Sequence, residues 1–259
     1  MADLPVIFVA HGAPTLALDT GKGAELSRWA QSFACPEAIL VVSAHWELTP
    51  ASTGAETTRD LIYDFRGFPA ELYQLEYRAP GAPDLAFEVR GLLAAGGHQP
   101  DSAPHRGWDH GVWVPLMHMF PGADIPLLQL SLPSKAGPEG IYAMGKAIAP
   151  LRRRGVLIMT SGVLVHNLST IDYREREPTP EWARLFDDWV LDSLRRRDHD
   201  ALIGCDRCAP DFHHAHPTPE HFTPLLVAAG AASVEGLRAE FPVTGFEYGS
   251  LSRRCVQFG

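Results

Sequence analysis

Three histidines in this sequence stand at or just beyond the ends of short apolar runs, where β-strands are expected to stop. They are His11 after the run 6–10, His45 after the run 38–42 and His166 after the run 156–159. Neutral imidazole binds divalent iron, zinc or copper, and rigid strand ends fix the directions of metal ligands. Each histidine alone also fits a hydrogen-bonded residue that ends a strand. Together they predict a metal site at one edge of a sheet.

A fourth candidate ligand lies near the C-terminal end, in Thr218-Pro219-Glu220-His221-Phe222. Thr218 is expected to cap a helix whose first residue is Pro219, because threonine favours the N-cap and proline the first helical position. This arrangement predicts His221 in an anchored first turn. His221 is therefore a candidate to join the three strand-end histidines.

His110 stands between an acidic residue and a glycine, in Asp109-His110-Gly111. In this setting an imidazole can donate a hydrogen bond to a substrate oxygen or to bound oxygen. The alternative is a loop histidine that simply pairs with Asp109. Both interpretations stand on the sequence alone.

The elements that carry these residues are predicted from hydrophobic patterning. Continuous apolar runs at 6–10, 38–42, 125–130 and 156–159 indicate strands covered on both faces. Apolar spacing of three and four over 141–151 and 182–190 indicates helices between and after them. The order predicts an α/β fold, one domain over residues 1–259, with a mainly parallel central sheet flanked by helices. Ligands in such folds bind at the carboxyl edge of the strands.

Composition excludes several classes of protein. The 259 residues carry 22 basic and 31 acidic side chains, a net charge of −9, so no basic field is available for nucleic acid or an anionic membrane. Four cysteines are too few for a disulfide scaffold, and no signal sequence is recognisable at the N-terminus. These features predict a cytoplasmic protein without nucleic-acid or membrane partners, present as a monomer or small homo-oligomer.

The motifs taken together resemble the class III extradiol ring-cleavage dioxygenases of the 4,5-DOPA-dioxygenase (LigB-like) type. The resemblance rests on His11-Gly12-Ala13-Pro14, Ser43-Ala44-His45-Trp46, Tyr63-Asp64-Phe65-Arg66-Gly67-Phe68-Pro69, Asp109-His110-Gly111, Val165-His166-Asn167-Leu168 and Pro217-Thr218-Pro219-Glu220-His221-Phe222. These blocks follow the family's order from His11 to about residue 230. The resemblance implies a single-domain α/β enzyme that uses O2 to open a catechol ring beside its hydroxyls, giving a muconic semialdehyde.

The resemblance also implies roles for individual residues. His11, His45 and His221 match the metal ligands, with histidine in place of the carboxylate of the usual facial triad. His166 matches the acid/base histidine and is also a candidate fourth ligand, and His110 matches a histidine of the oxygen and substrate pocket. Fe(II) is the expected physiological metal. Zn(II) would fit the same ligands in purified or crystallised protein.

The expected substrate is a planar catechol such as L-DOPA or caffeate, with O2 as the second substrate. Trp46 and Tyr63 are candidates for an aromatic wall, although large aromatic residues also pack in cores. Arg66 or Arg106 could pair with a substrate carboxylate. Two other functions use the same histidines: a zinc-dependent hydrolase and a metal-binding protein without catalysis.

Overall fold

The computed structural model describes residues 3–54 and 56–259. Met1, Ala2 and Ala55 belong to the predicted domain 1–259 but lie outside the described residues. The strands are β1 (Val6–Ala10), β2 (Ala38–Glu47), β3 (Ser52–Gly54), β4 (Asp101–Ala103), β5 (Leu127–Leu132), β6 (Val156–Gly162), β7 (Ala239–Glu240), β8 (Phe246–Glu247), β9 (Leu251–Ser252) and β10 (Val256–Phe258).

Among the described residues, eight strands form one sheet in the order β4-β3-β5-β2-β6-β1-β10-β7. The four central strands β5, β2, β6 and β1 are parallel to their neighbours in that group. Antiparallel pairing occurs toward the two edges, between β3 and β5 on one side and among β1, β10 and β7 on the other. The structure therefore confirms a mainly parallel central sheet.

Helices cover both faces of this sheet. They are α1 (Thr20–Ala30), α2 (Pro83–Ala95), α3 (His110–Met119), α4 (Gly137–Ile148), α5 (Glu181–Arg196), α6 (His199–Ile203), α7 (Cys205–Cys208), α8 (Phe212–Ala215) and α9 (Thr223–Ser233). Five 3-10 helices are described at Pro14–Leu18, Ala70–Gln74, Ala149–Arg154, Leu168–Thr170 and Pro219–His221.

Two hydrophobic cores lie on opposite sides of the sheet, because successive strand side chains point to opposite faces. In β1, Phe8 packs in the core beneath α2, α4, α5 and α9, whereas Ile7 and Val9 pack in the core beneath α1 and α3. Both faces of the central strands are thus buried, which explains why their sequences are continuously apolar rather than alternating. The result is the expected single α/β domain.

The main departure from the predicted elements is β2, which continues to Glu47 instead of ending at Val42. Its pairing with β5 shifts register between Val42 and Glu47, so an irregular stretch carries His45 within the strand. The segment between β2 and α2, residues 48–82, contains the short strand β3 and the 3-10 helix Ala70–Gln74. Within residues 3–54 and 56–259, no helix combines the length and apolar character needed to cross a bilayer.

Candidate metal centre and substrate cleft

Five histidines from separate parts of the chain meet at the carboxyl edge of the sheet. His11 follows β1, His45 lies in β2, His110 is the first residue of α3, His166 follows β6 and His221 ends the 3-10 helix Pro219–His221. The ring centroids of His45 lie 4.9 Å from His11, 4.0 Å from His110 and 4.9 Å from His221. The sequence-predicted set is therefore brought together in space.

Two glycines allow the backbone to approach closely enough for this arrangement. A Cβ at Gly162 would stand 2.3 Å from the carbonyl oxygen of His221, which accepts a hydrogen bond from Val163 N at 3.0 Å. A Cβ at Gly111 would stand 2.6 Å from Ser43 Oγ. Any larger residue would push His221 away from β6 or α3 away from β2. These contacts hold His110 and His221 against the strand ends.

His11 is fixed by a hydrogen bond at the nitrogen that points away from the cluster. Its Nδ1 lies 2.9 Å from Ser161 Oγ, and the Ser161 hydroxyl donates to the carbonyl oxygen of Gly111. Because the single hydroxyl proton is committed to Gly111, the serine oxygen acts as acceptor and His11 Nδ1 carries the proton. His11 Nε2 is consequently left with a free lone pair.

His221 shows the same arrangement. Its Nδ1 donates to Glu220 Oε1 at 2.8 Å, and Glu220 Oε1 also accepts from Thr218 Oγ1 at 3.1 Å. The Nε2 of His221 is buried and has no hydrogen-bond partner. The expected side-chain cap from Thr218 is absent, because its hydroxyl bonds to Glu220 instead. An orphaned buried imidazole nitrogen of this kind needs an explanation, and a bound cation supplies one.

Asp64 contacts two further rings of the cluster. Its Oδ1 accepts from His110 Nδ1 at 2.8 Å and from His110 N at 3.1 Å, while its Oδ2 lies 3.3 Å from His45 Nδ1. Burial raises the pKa of this carboxyl, but the hydrogen bonds from His110 outweigh burial and lower the pKa to about 2. Asp64 is therefore ionised at neutral pH.

These outward contacts leave Nε2 lone pairs facing one another. The Nε2 atoms of His11 and His45 are 3.2 Å apart. Two lone pairs at this distance repel each other unless a proton or a metal ion lies between them. Two ligands each about 2.1 Å from one ion stand at a comparable separation. Burial and then repulsion by neighbouring imidazoles hold the pKa of His11 and His221 well below the usual value. The donor set thus fits a divalent metal.

The geometry offers two choices for the third ligand. Ligand atoms of His11, His45 and His110 all lie within 4.8 Å of one another, whereas the sequence points to His221. The ring centroids of His221 and His11 are 5.4 Å apart. His110 is thus a second candidate for the third ligand. The sequence did not indicate this alternative.

His166 lies flat against His221, with ring centroids 3.5 Å apart and planes inclined by 11°. An imidazole nitrogen binds a metal in the plane of its ring, so two stacked parallel rings do not direct lone pairs to one ion. This geometry places His166 beside the site, and because ligand atoms of His166, Glu220 and His221 also lie within 4.8 Å of one another, its role as a fourth ligand stays a prediction. Burial lowers the pKa of His166 to about 4 and keeps the ring neutral.

Above the histidines opens a cleft of about 310 Å³. Its walls combine the backbone turn at 12–14, the aromatic segment at 64–68, the loop at 166–173 and the pair Tyr248 and Leu251. Phe65 is buried and meets the His110 ring edge-on, with ring centroids 5.7 Å apart. Leu168 and Tyr173 stand exposed at the rim. The cleft suits a planar molecule about the size of one substituted ring.

Of the four residues predicted to contact substrate, only Arg66 lines this cleft, with its side chain exposed. The Tyr63 hydroxyl donates to the carbonyl oxygen of Leu75 at 2.6 Å, and the Trp46 ring is buried with the Arg106 guanidinium over it. Arg106 itself donates to the carbonyl oxygen of His45 and to Asp109, both at 3.2 Å. Trp46, Tyr63 and Arg106 are occupied by packing and internal hydrogen bonds, so their assignment to substrate is not retained.

Comparison with known proteins agrees with this site. Residues 6–259 match the family model described as the catalytic LigB subunit of aromatic ring-opening dioxygenase. The chain belongs to the LigB family.

Curated relatives match this LigB-family chain over nearly its whole length. A 4,5-DOPA dioxygenase extradiol of Beta vulgaris is 41% identical over 97% of this chain and 95% of its own. The 4,5-DOPA dioxygenase extradiol of Escherichia coli K12 is 36% identical over 99% and 95%. The crystal structure of an uncharacterized Escherichia coli K12 protein superposes with a TM-score of 0.82 at 32% identity, covering 99% of this chain and 100% of that one. This LigB-family chain is an extradiol ring-opening dioxygenase.

Three residues that organise the site were not singled out from the sequence as site residues. Asp64 stands inside the motif Tyr63–Pro69, Glu220 precedes the predicted ligand His221, and Ser161 lies in β6 two residues beyond the apolar run 156–159. Only the role of Glu220 could have been inferred from its place in the sequence, because it is adjacent to the predicted ligand His221. Ser161 reaches His11 across 150 residues of sequence, a contact that spacing cannot suggest.

Proposed function

We propose that this dioxygenase uses Fe(II) and O2 to open the ring of a catechol such as L-DOPA or caffeate, giving a muconic semialdehyde. The observation that carries the proposal is the group of neutral imidazoles whose Nε2 lone pairs are turned inward at the floor of a ring-sized cleft. In the proposed assignment His11, His45 and His221 hold the metal. The orphaned Nε2 of His221 supports its place in this set.

When bound, Fe(II) acidifies the two catechol hydroxyls and supplies the redox centre that O2 requires. The chain's own residues hold the ring and move protons. The aromatic segment that carries Phe65 offers an apolar wall to a planar substrate, and the 310 Å³ cleft limits the water around it. Binding and orientation of the catechol are thus functions of the cleft walls.

His166 takes up a catechol hydroxyl proton on an imidazole nitrogen and returns a proton later in the reaction. Two features support this role: the ring lines the cleft, and a neutral imidazole has one nitrogen with a lone pair that can accept a proton. Its stack against His221 keeps the ring beside the metal ligands. His110 is assigned to a hydroxyl of the substrate, from which its inward Nε2 lone pair can accept a hydrogen bond, and its orientation is fixed by Asp64.

Arg66 is proposed to recognise a carboxylate on the substrate side chain. It is the guanidinium that lines the cleft within the described part of the chain, and Arg106 is already committed to Asp109. A guanidinium pairs well with a carboxylate because both are planar and can form two parallel hydrogen bonds. Catechols with an acidic side chain therefore fit this proposal.

The test is oxygen uptake by protein reconstituted anaerobically with Fe(II). The all-nitrogen donor set also accepts zinc, so bound metal must be removed first and the iron content measured. Mixing with L-DOPA, caffeate and simple catechols should consume about one O2 per ring opened and produce a yellow semialdehyde. No uptake with any catechol, at about one iron per chain, would overturn the proposal.

A further inference from the structure

Asp64 is the carboxylate that joins two imidazoles of the cluster. One oxygen, Oδ1, receives both the ring Nδ1 and the backbone N of His110, at 2.8 and 3.1 Å. The other oxygen, Oδ2, lies 3.3 Å from His45 Nδ1. The Asp64 side chain is only 23% exposed, so water screens these contacts incompletely. Ser161 and Glu220, in contrast, each fix a single ring.

An ionised carboxylate can accept hydrogen bonds but cannot donate them. A lone pair on Nδ1 of His45 or His110 would be repelled by the nearby carboxylate oxygen, whereas an N–H is attracted. Both rings are therefore held with the proton on Nδ1 and the lone pair on Nε2. A metal-binding histidine requires this arrangement, since its outer nitrogen is commonly tied to a carboxylate or carbonyl.

We propose that Asp64 is a positioning residue that fixes the Nδ1–H tautomer of both His45 and His110 and places one negative charge beside an otherwise neutral ligand set. The inference rests on the proposed function insofar as a metal occupies the cluster. Asp64 touches neither substrate nor metal in this role. It acts through the two imidazoles that it orients.

The substitution Asp64→Asn separates this role from simple space filling. Asparagine keeps the shape, but its side chain offers one acceptor oxygen and one NH2 donor. The oxygen can satisfy one ring, while the NH2 group requires a bare Nδ1 on the other ring. That second ring must then carry its proton on Nε2, inside the cluster, where it opposes metal binding.

The first measurement is the tautomer of each histidine in metal-free protein labelled with 15N-histidine, read from long-range 1H–15N correlation spectra at neutral pH. In the wild type we expect Nδ1–H on both His45 and His110. In Asp64→Asn we expect one of these rings to change to Nε2–H. Either ring found with a bare Nδ1 in the wild type would overturn the proposal, whether or not the variant folds.

The second measurement is Zn²⁺ affinity by chelator competition, with circular dichroism as a check on folding. Loss of an outer partner of a metal-binding histidine typically weakens binding by about 10- to 100-fold, and we expect Asp64→Asn in that range. Glu220→Gln is the matched comparison: its remaining oxygen still accepts from His221 Nδ1, so the loss should be smaller. The control is Asp60→Asn, which changes an exposed carboxylate four residues before Asp64.

Zn²⁺ affinity of Asp64→Asn within about threefold of wild type, with both tautomers retained, would refute the positioning role. Failure of the proposed function is recognised separately. A wild-type protein that binds metal and shows both Nδ1–H tautomers, yet consumes no O2 with catechols, would leave the Asp64 inference intact and remove the assigned reaction.

Discussion

Acid should destabilise the metal-free protein strongly, because buried imidazoles at and near the site resist protonation. Burial lowers the pKa of His45, His166 and His216 to about 4 in each case. In an unfolded chain the histidine pKa is about 6.5. Between these values the unfolded chain binds protons that the native protein does not bind. The free energy of unfolding therefore falls as the pH falls from about 6.5 toward 4.

The magnitude follows from the size of the pKa shifts. One imidazole shifted from 6.5 to about 4 lowers the free energy of unfolding by about 2 kcal/mol between pH 7.5 and pH 5. Three such groups acting independently would give about 6 kcal/mol, and repulsion among neighbouring imidazoles makes that the upper end. A domain is commonly stable by about 5–15 kcal/mol, so the loss is a large fraction of the total.

The assay is urea unfolding of chelator-treated protein at several values between pH 7.5 and pH 5, followed by circular dichroism. His216→Gln tests one group, because His216 Nε2 donates to the carbonyl oxygen of Leu164 at 2.8 Å and a glutamine NH2 can replace that donor. The loss between the two pH values should shrink by about 2 kcal/mol in this variant. His105→Gln, which removes an exposed imidazole, is the matched control and should leave the pH dependence unchanged.

A free energy of unfolding that stays constant within about 1 kcal/mol from pH 7.5 to pH 5 would refute this reasoning. It would mean that the imidazoles bind protons as readily in the native protein as in the unfolded chain. An equal loss in wild type and His216→Gln would instead locate the effect in other groups. Both results are read from the same set of unfolding curves.

Three further predictions concern the site directly. His221→Ala should lose bound metal while His110→Ala retains it, measured as metal per chain after dialysis; the reverse pattern would make His110 the third ligand. His166→Ala should retain metal and lower turnover by about 10²- to 10⁴-fold, as expected for loss of a general acid–base group; loss of metal would make it a ligand. Arg66→Ala should raise KM by about tenfold for L-DOPA or caffeate and leave a catechol without a carboxylate nearly unchanged; equal changes for both would exclude carboxylate recognition.

The sequence by itself determined the central sheet and the approximate place of the ligands. The runs that became β1 and β6 are continuously apolar because both faces of these strands are covered, a local signal that needs no knowledge of their partners. Histidines at or near the ends of such runs must lie at one sheet edge, since parallel strands share their carboxyl ends. The short antiparallel strand β10 had no comparable signal, because its three residues gain their strand conformation from pairing with β1.

Only the tertiary structure decided which nitrogen each imidazole turns inward. For His11 and His110 that choice depends on an outer acceptor far away in the sequence, Ser161 and Asp64 respectively. Tertiary packing also removed Tyr63 from the substrate wall, by giving its hydroxyl a backbone acceptor at Leu75. Residue type sets what a side chain can donate or accept, but its use for binding depends on partners that the folded chain alone brings within hydrogen-bond distance.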